Sequence, residues 1–242
     1  KGAMLWLQQT HKFSEHESAL LLAQCIVTAR IAQQQETLRQ RLPKQDYSSV
    51  QASFAELKHQ VKSTNTLAEL NGTEGLASKH YFAQLTPLVP PWCSFTHRKR
   101  RPPPDPFNAL LSLGYTLLYS VHHSLIVLEG LQPWLGFYHQ PRGTHAALAS
   151  DLMEPFRHIV ERHALNSINE MKQEDFNTGD NGACWIAPKA RRKYLATLWK
   201  KLHTTVTHQQ KSGEYLWQIQ HQIQQLILHL RDDKPFIPYG IR

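Results

Sequence analysis

A helical spacing of apolar residues runs through nearly all of this chain, and a proline-rich stretch is the part that departs from it most. Residues 15–42 place Leu20, Leu21, Cys25, Ile26, Ile31 and Leu38 on a helical period and end in Leu42-Pro43. Residues 47–70 repeat the pattern with Val50, Phe54, Leu57, Val61 and Leu67. Asn71-Gly72 is expected to break it, and Thr73 to cap a new helix. Residues 85–106 hold Pro87, Pro90 and Pro91, then His97 to Arg101, then Pro102-Pro103-Pro104-Asp105-Pro106. Proline fixes φ and removes backbone donors, so this part must be a loop or extended connection. Phe107 to Leu128 is the most apolar segment and reads as a buried central helix ending at Gly130. Helical patterning returns at Glu154–Leu165, Pro188–His208 and Gly213–Leu230.

No alternating runs are joined by Asn-Gly or Asp-Gly turns, and no repeat of fixed period is present. The Gln-rich stretches keep apolar residues at helical spacing and read as solvated helix faces. The expectation is all-α: one multi-helix domain over residues 15–242, with residues 1–14 a linker or the remnant of a preceding region.

A net charge of +8 over 242 residues makes a polyanionic partner plausible. Charge alone leaves that reading level with a protein that is merely basic. Cys25, Cys93 and Cys184 are widely spaced and form no CxxC pair, which disfavours a disulfide framework and a thiolate zinc site and favours a reducing cytosol. No apolar run is expected to span a bilayer, and no signal peptide opens the sequence.

Three segments hold candidate hard-metal ligands: Asn71-Gly72-Thr73-Glu74-Gly75, Gly136-Phe137-Tyr138-His139, and Asp151-Leu152-Met153-Glu154-Pro155-Phe156-Arg157. One imidazole with two or three carboxylates suits Mg²⁺ or Mn²⁺ in phosphodiester chemistry. Each has a plainer reading. Glu74 would favour a helix N-terminus, His139 is one of 15 histidines, and Glu154 would form a surface pair with Arg157. Asp151 and Glu154 are three apart, so a helix would turn both carboxylates the same way, which is unfavourable without a cation between them. The adjacent His122-His123 is a poor chelate. Arg98, Lys99, Arg100 and Arg101, on a proline-stiffened connection, form a candidate phosphate track. Walker, GxGxxG, GxSxG and HExxH motifs are absent, which removes the P-loop, Rossmann and zincin readings.

The run Arg98-Lys99-Arg100-Arg101-Pro102-Pro103-Pro104-Asp105-Pro106-Phe107-Asn108-Ala109-Leu110-Leu111-Ser112-Leu113-Gly114-Tyr115 closely resembles a hallmark of the CRISPR-associated integrase and endonuclease family Cas-one. Gly72 through Phe82 resembles that family's first ligand motif, Gly130 through His139 its second, and Ala149 through Arg157 its third. Ile26 through Gln35 fits an early helix of the family, and Glu174-Asp175-Phe176 its C-terminal pattern more loosely.

The resemblance implies an α-helical metal-binding domain in which Glu74, His139 and Glu154 hold Mg²⁺ or Mn²⁺, with Asp151 alongside. It implies spacer insertion into a CRISPR array by 3′-hydroxyl attack on a phosphodiester. The implied partners are double-stranded DNA, the Cas-two protein and a second copy of the chain, in a prokaryotic cytoplasm. Two departures stand out. The family's small β-rich N-terminal domain has almost no room ahead of residue 15, which suggests a piece of something longer, such as a reverse-transcriptase fusion. Ser150 also stands where a more apolar residue is expected. A catalytically silent DNA-binding scaffold and a transposon-borne integrase relative are the alternatives.

Overall fold

The central helix starts one residue earlier than the sequence reading places it, inside the proline-rich stretch: the Asp105 carboxylate accepts the Asn108 backbone N–H at 2.8 Å, and Pro106 occupies the first turn, where its missing donor costs nothing. Helix α5 then runs Pro106–Leu128 and ends before Gly130 at φ +83°. The computed structural model describes residues 2–140, 143–179 and 181–240. Lys1 and the end of the expected helical domain at 241–242 therefore lie outside the described residues.

Around α5 stand α1 (Gly2–Ser14), α2 (His16–Arg41), α3 (Lys44–Ser63), α4 (Leu67–Leu85), α6 (Ala147–Met153), α7 (Arg157–Glu170), α8 (Pro188–Leu202) and α9 (Tyr215–Asp232). A 3-10 turn at Glu154–Phe156 joins α6 to α7, where Pro155 cannot supply an amide donor. Helix α2 packs against α3, α4 and α7, and α5 against α6, α7, α8 and α9. Their buried side chains form one continuous apolar core.

The mostly helical expectation holds, with four differences. Two short antiparallel hairpins are present: β1 (Phe176–Thr178) with β2 (Cys184–Ile186), and β3 (Thr205–His208) with β4 (Lys211–Glu214). The second cuts short the helix expected over Pro188–His208.

Residues 2–14 are also no linker. Leu5, Gln9 and Phe13 of α1 are buried, and Gln9 exchanges hydrogen bonds of 2.9 Å with the Gln132 backbone, accepting its N–H and donating to its C=O. Phe13 meets Phe137 edge-on at 5.2 Å. Helix α1 thereby pins the segment that leads to His139.

The break expected at Asn71-Gly72 lies earlier. Thr66 caps α4 by accepting the Glu69 N–H at 3.2 Å, and Glu69 accepts the Asn65 N–H at 2.7 Å, so Asn71, Gly72 and Thr73 fall inside a continuous helix. Finally, α5 is long and apolar enough to cross a bilayer by length and composition, contrary to expectation. Its neighbours on several sides mark it as the central helix of the bundle.

Candidate metal centre and basic cleft

The Asp151 carboxylate organises the site. It is fully buried on α6 and accepts backbone N–H groups from Phe137 at 2.8 Å, Tyr138 at 3.2 Å and His139 at 2.8 Å. It also meets His139 Nδ1 at 2.8 Å. A carboxylate only accepts, so Nδ1 carries the proton and Nε2 is left as the free ring nitrogen. Gly136 makes this approach possible, because a Cβ there would stand 2.6 Å from Asp151 Oδ2 and 2.8 Å from Ala147 Cβ. Burial favours the neutral form of His139, but its hydrogen bond to Asp151 and the charges of Asp151 and Glu154 outweigh burial and raise its pKa above the ordinary histidine value.

His139 Nε2 faces Glu154 Oε1 at 3.8 Å. Glu154 is buried on the 3-10 turn, and neither of its carboxylate oxygens has a hydrogen bond. Its charge is met instead by Arg157 Nη2 at 2.8 Å and, more distantly, by Arg30 Nε at 3.7 Å. The Glu154–Arg157 surface pair weighed from sequence is thus a buried one. A buried carboxylate without hydrogen bonds beside a free imidazole nitrogen is a hard oxygen–nitrogen donor set, and it fits a divalent cation such as Mg²⁺ or Mn²⁺.

Glu74 stands apart from that pair. It lies in the third turn of α4, half-buried, and accepts the Tyr138 hydroxyl at 2.8 Å. Burial and the Glu74 charge push the Tyr138 phenol pKa up, so it stays a donor. Among the described residues no three His, Cys, Asp or Glu side chains form a ready ligand cluster. The structure brings His139, Asp151 and Glu154 together and links Glu74 through Tyr138. Gly75 lines the cleft beside Glu74, and a Cβ at Gly72 or Gly75 would meet nothing within 4 Å, so neither glycine is required by close packing.

A cleft of about 590 Å³ lined by Glu74 adjoins one of about 340 Å³ lined by His139, and Arg98, Arg100, Tyr115 and Arg157 wall both. The four cations expected to form a phosphate track differ in place. Arg98 is half-buried and donates to Asn108 Oδ1 at 2.8 Å and Ser112 Oγ at 3.1 Å, with its guanidinium 5.5 Å from the Tyr115 ring. Arg98 therefore fastens the loop to α5 as well as facing the cleft. Lys99, Arg100 and Arg101 are exposed, and Arg100 and Arg101 line the cleft. Asn108 holds the loop in shape, accepting the Lys99 N–H at 2.9 Å and donating to the His97 carbonyl at 2.9 Å. Ser150, unexpected from sequence, bonds His145 Nε2 at 2.8 Å at the same cleft.

Sequence reasoning missed the floor of the site. Arg30 grips Glu161 with two guanidinium nitrogens, and Tyr115 donates to Glu161 at 2.6 Å, so α2, α5 and α7 are tied by buried charge. Only the helical phase of Arg30, which puts it among the buried residues of α2, could have signalled this.

The helical bundle thus sets an Asp-oriented histidine and a buried glutamate at the edge of an arginine-walled cleft, a constellation suited to an anionic substrate. The family model for CRISPR associated protein Cas1 matches residues 1–200, and the chain belongs to that family, the Cas-one family of the sequence resemblance. It is 36% identical over 208 residues to a CRISPR-associated endonuclease Cas1 of Mycobacterium tuberculosis, covering 83% of this chain and 61% of that protein. A Cas4/Cas1 fusion of Geobacter sulfurreducens is 35% identical over 162 residues, covering 63% of this chain and 29% of the fusion. Among solved structures, a chain of a partial Cas6-RT-Cas1–Cas2 complex superposes with a TM-score of 0.88 at 34% identity, covering 98% of this chain and 73% of that one. A casposase bound to integration product shares the fold, with a TM-score of 0.89 at 24% identity over 99% of this chain and 72% of that one. The chain thus spans about three fifths of the length of the Mycobacterium relative.

Proposed function

We propose that this chain supplies the catalytic domain of a Cas1-type DNA integrase that inserts spacer DNA into a CRISPR array. The observation that carries the reading is His139, oriented by Asp151 and facing the buried Glu154 in an arginine-walled cleft. Glu74, His139 and Glu154 are the residues that would hold Mg²⁺ or Mn²⁺. Such an ion supplies Lewis-acid polarisation of a phosphate oxygen. Glu74 reaches the His139–Glu154 pair by leaving the Tyr138 hydroxyl. Asp151 keeps His139 Nε2 free for ligation by retaining the proton on Nδ1. Arg100 and Arg101 contact backbone phosphates and place the strand without reading its sequence. In the reaction a 3′-hydroxyl attacks phosphorus, a new P–O bond forms, and the target strand's 3′-oxygen leaves; water as nucleophile gives nicking.

The partners that go with this reading are double-stranded DNA, a Cas2 protein and a second copy of the chain in a prokaryotic cytoplasm. The reverse-transcriptase association rests on likeness to chains of Cas6-RT-Cas1–Cas2 complexes. Strand transfer by the full-length protein with its Cas2 partner, a short duplex and a repeat-bearing plasmid is the test. His139→Ala and Glu74→Ala should abolish product while leaving fold and duplex affinity intact, and product from either variant would sink the site assignment. A second reading, a catalytically silent DNA-binding scaffold, draws on Arg157 standing 2.8 Å from Glu154, where it already neutralises the carboxylate. Metal-dependent nicking of a branched DNA by the parent protein would exclude it.

A further inference from the structure

Helix α8 carries Lys189, Arg191, Arg192, Lys193, Lys200 and Lys201 and no acidic residue, a net +6 in 15 residues of a chain whose total is +8. Its buried residues Ala190, Tyr194, Leu198 and Leu202 recur every fourth position and pack the helix against the bundle, with the Tyr194 hydroxyl donating to the Leu110 carbonyl of α5 at 3.0 Å. At 100° per residue the opposite face is formed by Lys189, Arg192, Lys193, Ala196, Trp199 and Lys200, all exposed. A charged helix face is ordinarily solvated and interspersed with carboxylates, but among the described residues none of the six cations forms an ion pair. Glu170 alone contributes a carboxylate to the neighbouring groove of about 350 Å³, which Lys193, Lys200 and Lys201 also line.

We propose that α8 is a second DNA-contact surface of this protein, one that grips the phosphates of a duplex lying across the bundle. Lys189 and Lys200 are separated by about 16 Å of helix axis, the length of roughly five base-pair steps. The strand ahead of α8 adjoins the loop of Arg100 and Arg101, because the Cys184 amide of β2 donates to the Pro103 carbonyl at 2.8 Å. Duplex is favoured over single strand because Trp199 is the one aromatic residue on the face, 46% exposed, whereas single-strand tracks need a series of stacking rings. The assignment rests on DNA being the substrate of the proposed function and adds where the duplex extends beyond the reacting phosphate.

The test is equilibrium binding of the full-length protein to a duplex of about 30 base pairs across a salt series. Replacing Lys189, Arg192, Lys193 and Lys200 by Gln should lower affinity at least tenfold and flatten the slope of log K against log salt by about 3 to 4, near 0.9 per phosphate contact. The pair Lys189→Gln with Lys200→Gln should flatten it by about 2, and guards against misfolding of the fourfold variant. Replacing the exposed Lys44, Lys62, Arg231 and Lys234 by Gln removes the same charge elsewhere and should change the slope by less than about 1. Equal flattening by both fourfold sets would overturn the proposal in favour of a diffuse field. So would an unchanged slope, an effect on oligo-dT alone, or loss of a protein partner with DNA binding intact. Because the readout is binding, a parent that binds duplex through α8 yet transfers no strand would refute the proposed reaction and leave this surface standing.

Discussion

Replacing Asp151 by Asn changes few atoms and should be costly. The carboxylate accepts three backbone N–H groups and the His139 ring N–H, four donors converging on two oxygens within 3.2 Å. An asparagine has one acceptor oxygen, so its amide NH₂ must face N–H donors now held by the other oxygen. Either Phe137 and Tyr138 or His139 and its ring then lose their acceptor. Hydrogen bonds to a charged group contribute about 1.5–3 kcal/mol each, and an orphaned buried donor costs about 1–3 kcal/mol. Partial relaxation of the 136–139 segment brings the expected loss to about 2–4 kcal/mol, a large share of the ~5–15 kcal/mol that holds a domain folded. The freed ring of His139 can then turn or change tautomer, so Mn²⁺ affinity should fall about 10–100-fold. Urea unfolding and an Mn²⁺ titration of the same variant read the two effects. Asp151→Asn within about 0.5 kcal/mol of the parent, with unaltered Mn²⁺ affinity, would refute the organising role of this carboxylate.

Three further outcomes follow from buried charge and close packing. Arg30→Met strands Glu161 in the core and should cost about 3–5 kcal/mol, with Glu161→Leu in the same chain recovering much of it; a double variant as unstable as the sum of the singles would contradict this. Burial holds His122 neutral with a pKa lowered to about 4 and His158 to about 3, while the unfolded imidazoles titrate near 6.5. The unfolded state therefore takes up more protons below pH 6.5, and stability should fall by about 1.4 kcal/mol per imidazole per pH unit, about 4 kcal/mol for the two at pH 5. The raised pKa of His139 works in the opposite sense and offsets part of that loss. Urea midpoints that do not fall between pH 7 and pH 5 would refute it. Gly136→Ala should cost about 1–3 kcal/mol and lower strand transfer, because its Cβ would displace Asp151 Oδ2; parent-like activity and midpoint would show that the segment shifts freely.

The sequence shows the helices where periodicity is strong and misleads where local chemistry competes with it. Residues 15–42 and 107–128 correspond to α2 and α5 almost to the residue. The break expected at Asn71-Gly72 gives local propensity too much weight: glycine and asparagine are tolerated inside α4, whereas the Thr66 cap on the Glu69 N–H, with Glu69 accepting the Asn65 N–H, holds the true helix start. The β3–β4 hairpin turns through Gln209 and Gln210 at φ +48° and +63°, a conformation that no propensity assigns to glutamine. At the candidate site, the residue types and order of Glu74, His139, Asp151 and Glu154 were legible. What spacing cannot show is that the Asp151 carboxylate is consumed by backbone amides from a segment 12 to 14 residues earlier, or that Arg30, 124 residues before Glu154, lies beside it. Those contacts depend on how α2, α6 and the 136–139 segment pack.

The central claim is that His139 and Glu154 share a divalent ion with Glu74. Mn²⁺ uptake by the full-length protein, followed through loss of the free-ion paramagnetic signal, tests it without relying on turnover. The parent should take up Mn²⁺ with competition by Mg²⁺, and His139→Ala, Glu154→Gln and Glu74→Gln should each weaken uptake at least about tenfold while Lys44→Gln does not. Uptake unchanged in both Glu154→Gln and His139→Ala would place the ion elsewhere and contradict the account.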